Sequence, residues 1–209
     1  MAPPPTSRIS GSKYPDDWRN IRHELVSSDD ATLWKQVFTD YYESRLELRY
    51  FIPIHVLSAS GEGRGEGFSI VAIQCSLIEF LESCWQGTNY RYLPPGQAPG
   101  PNEYGKSGDV FRSFLTQRQP FNMVFDQTLA GDFYTDIRCP VLHEACTKNG
   151  WRIWRSSWAN VIIDRKQKIL FRDNFQQAIE QFVAIYRAQL LQDRTRKDAF
   201  IRKFDYICS

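Results

Sequence analysis

The sequence predicts a mainly all-α protein with one small β-hairpin late in the chain, and three observations lead there. Apolar residues recur at three- and four-residue spacing, as in Leu33, Trp34, Val37, Phe38, Tyr41 and Tyr42. The run from Phe68 to Trp85 is longer than a strand and apolar on nearly all sides, as a helix buried by its neighbours would be. Only at about 158–172 does the pattern read as two short strands around a polar turn, Asp164-Arg165-Lys166-Gln167.

Taken in order, residues 1–13 carry the Pro/Ser-rich character of a disordered N-terminal tail, and 14–209 read as a single helical domain. Tyr14-Pro15-Asp16-Asp17 caps a short helix through Leu25. Ser27-Ser28-Asp29-Asp30 then offers N-cap side chains to a longer helix reaching about Tyr50, which Pro53 should kink or restart. The segment from Ile54 to Leu57 is apolar enough to stay in the core. Gly61 to Gly67 is a flexible connection into the central helix. It is not read as a phosphate-binding loop, because no strand precedes it, no Lys-Ser/Thr follows, and Glu62 and Glu66 would repel phosphate. An irregular loop runs from Leu93 to Ser107, and the amphipathic helix after it carries Val110, Phe111, Phe114 and Leu115. The next helical pattern spans about Asp126 to Lys148 and ends at Asn149-Gly150. After the hairpin, helical spacing returns for 173–206.

The bulk numbers bound the function. A net charge of +2 advertises no global attraction for nucleic acid, so any anion site must be local. Five cysteines without a C-x-x-C pair fit reduced thiols, and three scattered histidines give little basis for a metal site. No secretory leader is read at the start and no run of roughly 18 apolar residues is read as a membrane span, so the expectation is a cytoplasmic protein without membrane association.

The stretch that could carry chemistry is FYTDIRCPVLHE, Phe133 to Glu144. It places Arg138 and His143 on one short apolar span, the side-chain types that hold a phosphodiester and move protons without a metal. On an ideal helix five steps leave them roughly 140° apart, so they would flank a groove rather than stack, and Pro140 distorts the backbone locally. Spacing alone decides little, since Arg49 and His55 form a second such pair. For Arg138 the structural alternative is an ion pair with Asp136, Glu144 or an acidic group on another helix; for His143 it is a hydrogen-bonded, half-buried ring.

In its context the motif Arg138-Cys139-Pro140-Val141-Leu142-His143 resembles the Arg-x4-6-His motif of the HEPN superfamily. The segment from Tyr41 to about Ile153 resembles bacterial HEPN-like proteins, most clearly in GEGFSIVAIQCSLIEFLE (Gly65 to Glu82) and in FYTDIRCPVLHE. The resemblance implies an up-and-down helical bundle, a homodimer that brings two motif copies together, and in active members metal-independent cleavage of RNA through its 2′-OH, with no cofactor. It also implies the setting of a toxin or phage-defence effector, with an antitoxin or defence-system protein as partner. Carried over, Arg138 holds the scissile phosphate and His143 moves the protons. Asp136, Cys139, Glu144, Arg49 and His55 are supporting candidates. Active members usually have a polar residue after the arginine, where this chain has Cys139 and then Pro140. That departure leaves open a second reading, a non-catalytic dimeric module that binds nucleotides or proteins.

Beyond the motif, Trp151, Trp154 and Trp158 alternate with Arg152 and Arg155, a mixture that stacks on unpaired bases or packs the hairpin onto the helices. Lys148, Arg152 and Trp151 are the RNA-binding candidates.

Overall fold

A computed structural model describes residues 7–60, 63 and 65–209. The chain is mainly helical, 66% helix against 7% strand. Helix α1 (Pro15–Ser27) starts where Tyr14 accepts the capping role: the Tyr14 N–H donates to Asp17 Oδ2 at 2.7 Å. Asp30 caps α2 (Ala31–Val37) by accepting from the Thr32 N–H. Helical backbone then continues through a π turn (Phe38–Glu43), α3 (Ser44–Leu46), a second π turn (Glu47–Phe51) and α4 (Ile52–Ser60). The sequence predicts an interruption at Pro53; the helix instead widens just before it, the Ile52 N–H reaching back five residues to the Glu47 carbonyl. Proline has no N–H to donate and its ring crowds the carbonyl four residues earlier, and the wider turn accommodates both.

The connection expected from Gly61 to Gly67 lies partly outside the described residues. Helix α5 (Glu66–Gln86) follows, then β1 (Asn89–Tyr90), β2 (Glu103–Tyr104), α6 (Ser107–Gln117), α7 (Gln127–Asp132), a third π turn (Phe133–Arg138) and α8 (Cys139–Glu144). Strands β3 (Arg152–Trp154), β4 (Ile163–Asp164) and β5 (Ile169–Phe171) precede α9 (Arg172–Gln192) and α10 (Arg194–Ile207). The predicted hairpin at about 158–172 is therefore two strands of a three-stranded sheet ordered β3-β5-β4. Strand β4 pairs antiparallel with β5, and β3 lies parallel on its other edge, Ile153 opposite Leu170. A hairpin signal reads only neighbours in sequence, so it misses a strand brought in from beyond the turn.

Where the sequence counts one domain, packing resolves into two compact units. The first takes Met1–Ile52, Ser83–Gly105 and Tyr186–Ser209; the second takes Pro53–Glu82 and Lys106–Ile185. The first unit is built on rings: Trp18, Trp34, Phe38, Tyr42, Tyr186 and Phe200 are all fully buried. Both indoles and the Tyr186 hydroxyl found acceptors, as buried aromatic donors usually do. Trp18 Nε1 donates to Asp205 Oδ1 at 2.9 Å, Trp34 Nε1 to the Ser28 carbonyl at 2.9 Å, and Tyr186 Oη to the Cys84 carbonyl at 3.1 Å. Gly87, at φ +68°, allows close approach, since a Cβ there would lie 2.6 Å from the Ala199 backbone. Of the tail predicted as residues 1–13, residues 1–6 lie outside the described residues; beyond them Ile9 is buried, and Ser10 Oγ donates to the Asp40 carbonyl at 2.8 Å. A buried apolar side chain and a hydrogen bond to the backbone hold Ile9 and Ser10 despite their tail-like composition.

In the second unit Phe114 meets Phe182 at 4.7 Å and Phe133 stacks on Phe175 at 5.4 Å. The expectation that Ile54 to Leu57 stays inside holds for Ile54 alone; Val56 is 60% exposed, because a helix lying against one side of a core can bury only one stripe. Helix α5 is long and apolar enough to cross a membrane by length and composition alone, a test that a buried core helix also passes, and 56% of its most apolar window is buried inside the protein. Two of its carboxylates, Glu79 and Glu82, face arginines of the same unit, Arg138 and Arg118.

Asp126 caps α7, the start of the motif helix. Its carboxylate accepts from the Leu129 N–H at 2.7 Å and pairs with Arg165 at 2.8 Å, and the two hold its pKa below the ordinary carboxylate value. A folded-state pKa below the unfolded one means stability present above the unfolded value, about 3.9, and lost as pH falls through the folded value. Asp126→Ala is accordingly expected to lower the thermal midpoint by a few degrees at pH 7, with the gap to wild type closing below about pH 4. Scanning calorimetry at the two pH values checks it; a gap independent of pH would contradict the assignment.

Candidate functional site

The motif helix buries Phe133, Ile137, Pro140 and Val141, which fixes its rotation in the second unit. Its π turn is the local answer to Pro140. The Cys139 N–H bonds to the Tyr134 carbonyl five residues back, and the wider turn makes room for a ring that has no N–H to donate.

Arg138 projects from the end of this wide turn. Its side chain is 16% exposed, its guanidinium carbon lies 5.2 Å from the centre of the Tyr134 ring, and Nη2 is 3.9 Å from Glu79 Oε2 on α5. Nη1 is 3.9 Å from Cys139 Sγ, and Nε has no hydrogen-bond acceptor among the described residues. Of the structural partners considered from sequence, the one found is the acidic group on another helix. Asp136 instead accepts from Asn149 Nδ2 at 3.0 Å, and Glu144 pairs with Lys148 at 2.6 Å.

Glu79 is held in turn, accepting from Ser107 Oγ at 2.9 Å. Tyr134 is seated against Gly108, where a Cβ would come within 3.0 Å of its ring, and Arg112 lies 5.6 Å from the ring centre. Burial pushes the Tyr134 phenol above its usual pKa, with the Arg138 charge opposing the shift. Glu79, Ser107, Tyr134 and Arg112 were missed in the sequence. Tyr134 had a signal, standing one helical turn before Arg138. Glu79 had only the oddity of a carboxylate inside an apolar helix.

His143 occupies the last turn of α8, which Ala145 closes in the left-handed conformation at φ 54°. The ring is exposed and has no hydrogen-bond or ion-pair partner among the described residues. The half-buried, hydrogen-bonded alternative is thus overturned. No hydrogen bond or ion pair joins His143 to Arg138, as their separation around the axis leads one to expect.

The other candidates divide. Lys148 and Arg152 are exposed; Arg152 donates to the Gln167 carbonyl at 3.1 Å and lies 5.5 Å from the Trp154 ring centre. Trp151 is 5% exposed, which corrects its assignment to RNA binding; the accessible indoles are Trp154 and Trp158. Trp154 stands three positions after Trp151, an odd number along an extended backbone, so Trp151 just before β3 turns into the unit while Trp154 at the end of β3 stays at its surface. Arg49 serves structure in the first unit, donating to the Arg8 carbonyl at 2.7 Å and the Ile9 carbonyl at 3.2 Å. His55 in the second unit is exposed, 3.7 Å from Glu180. Cys139 is half-buried beside Arg138. Among the described residues no cluster of three or more His, Cys, Asp or Glu side chains is placed to hold a metal ion.

Compared with protein-family models, curated proteins and solved structures, the chain matches none.

Proposed function

We propose that this protein is a cytoplasmic, metal-independent endoribonuclease of the HEPN type that acts as a homodimer on RNA, in the setting of a toxin or phage-defence effector with its own protein partner. The observation that carries the reading is the contrast between the two motif residues. Arg138 is positioned by Tyr134 yet separated from Glu79 by 3.9 Å, beyond hydrogen-bond range, while the His143 imidazole stands in solvent without a polar partner among the described residues. A phosphate offers the guanidinium a shorter, two-point contact than Glu79 does.

The step it would serve is in-line transesterification. The 2′-oxygen attacks phosphorus, the bond to the 5′-oxygen breaks, and the products end in a 2′,3′-cyclic phosphate and a 5′-hydroxyl. Imidazole removes the 2′-OH proton and supplies one to the departing 5′-oxygen, the second task falling to the other copy's motif in a twofold dimer. Arg138 offsets charge on the non-bridging oxygens.

The test is incubation with single-stranded and loop-containing RNA. Fragments with 2′,3′-cyclic phosphate ends are expected, at a rate unchanged by EDTA. No cleavage at high concentration of folded protein would favour the second reading, a dimeric module that binds nucleotides or proteins without cutting them. What supports that reading is the enclosure of Arg138 by Glu79, Tyr134 and Cys139, a set that also serves as a structural tie.

A further inference from the structure

Away from the motif, the second unit contains a cleft of about 440 Å³ where α5 begins, β3 ends and α9 begins. We propose that it binds a single nucleotide unit, its base against Trp154 and Phe68 and its phosphate toward Arg155.

The walls supply the two kinds of contact such a ligand needs. Trp154 is 48% exposed and Phe68 36% exposed, large rings left open at the edge of a cleft rather than folded away. Aromatic faces accept any base by stacking. Behind this wall Arg172 is only 4% exposed and is held by two carboxylates, Glu66 at 3.1 Å and Asp173, whose Oδ1 lies 3.5 Å from its Nε. Its charge is thus matched inside the protein, and Arg155 is the exposed guanidinium on the lining of the cleft.

Arg155 stands at the rim, 66% exposed, and its carbonyl accepts from the Asp173 N–H at 2.9 Å, which pins its backbone to the start of α9. The carboxylates nearby are engaged, Glu66 by Arg172 and Asp173 by both Arg155 at 3.4 Å and Arg172 at 3.5 Å, so the repulsion expected from Glu66 is offset. Gly67 makes the floor possible, since a Cβ there would press to 3.3 Å on both Arg172 and Ile153. The volume falls in the range of small-ligand clefts, about 300–1,000 Å³.

This site does not rest on the cleavage reading. Glu66 and the Arg138 partner Glu79 are 13 residues apart on α5, about 20 Å along its axis. The experiment is calorimetric titration of the whole protein with each of the four nucleoside 5′-monophosphates and with inorganic phosphate. At least one nucleotide is expected to bind at least tenfold more tightly than phosphate. Trp154→Ala and Arg155→Glu, both at exposed side chains, should each weaken it about tenfold or more. His143→Ala should leave it within twofold. The proposal is overturned if no nucleotide binds at millimolar concentration, if phosphate binds as well as nucleotide, or if the Trp154→Ala/Arg155→Glu double variant retains full affinity. Loss of binding in His143→Ala would equally overturn it, by placing the nucleotide at the motif.

Discussion

His143→Ala and Arg138→Ala are each expected to lower RNA cleavage by about 10²-fold or more while the protein stays folded. The magnitude for His143 is that of a general acid or base removed from a reaction that must move two protons, about 10²–10⁴. For Arg138 it is that of a lost preorganised donor to a developing anion, about 10²–10³. The two variants should differ in stability. His143 is exposed and without a polar partner among the described residues, so its truncation should shift unfolding by less than about 0.5 kcal/mol. Arg138 is 16% exposed and faces Glu79, so its loss leaves a half-buried carboxylate behind, and Arg138→Ala should be the less stable of the two. Arg138→Lys keeps the charge but not the two-point geometry and should remain impaired. Cleavage rates on one RNA, with circular dichroism on the same samples, decide the matter. Full activity in either folded alanine variant would end the ribonuclease assignment.

The largest stability effect is expected at Arg118. Its Nε and Nη2 each donate at 2.8 Å to the Glu82 carboxylate, which is fully buried on α5 and also accepts from Ser113 Oγ at 3.2 Å. This is a bidentate, sequestered pair, unlike the solvent-facing pair of Lys148 and Glu144. Arg118→Ala strands a carboxylate with its main counter-charge gone, at a cost of about 3–5 kcal/mol. Replacing both partners, Glu82→Leu with Arg118→Leu, should recover most of that loss, because no buried charge is then left over. Urea unfolding of the three proteins checks this. A midpoint for Arg118→Ala within about 1 kcal/mol of wild type would show that Glu82 is stabilised by something else.

Much of the helical plan was legible because it rests on local rules. The cap at Asp30 and the apolar length of α5 are written in neighbouring residues, and the structure begins α2 at Ala31 and α5 at Glu66. Effects of proline were legible in place but not in kind. Pro53 and Pro140 mark where the helix must adjust, while the choice of a π turn over a break depends on the apolar residues either side that must stay buried, Phe51 and Ile54 in one case, Ile137 and Val141 in the other. Strand β3 was invisible because its partner β5 lies beyond the turn.

For the site the division is sharper. The sequence by itself determined that an arginine and a histidine share one short span, that they cannot stack on each other, and that the span is helical, since residue identity and helical period are local properties. Only tertiary structure decided that Glu79, from a helix more than fifty positions earlier, faces Arg138, that Trp151 is inside while Trp154 is at a cleft, and that His143 meets solvent. Burial and charge pairing are set by which elements pack together, and no spacing along one chain segment encodes what lies across from it.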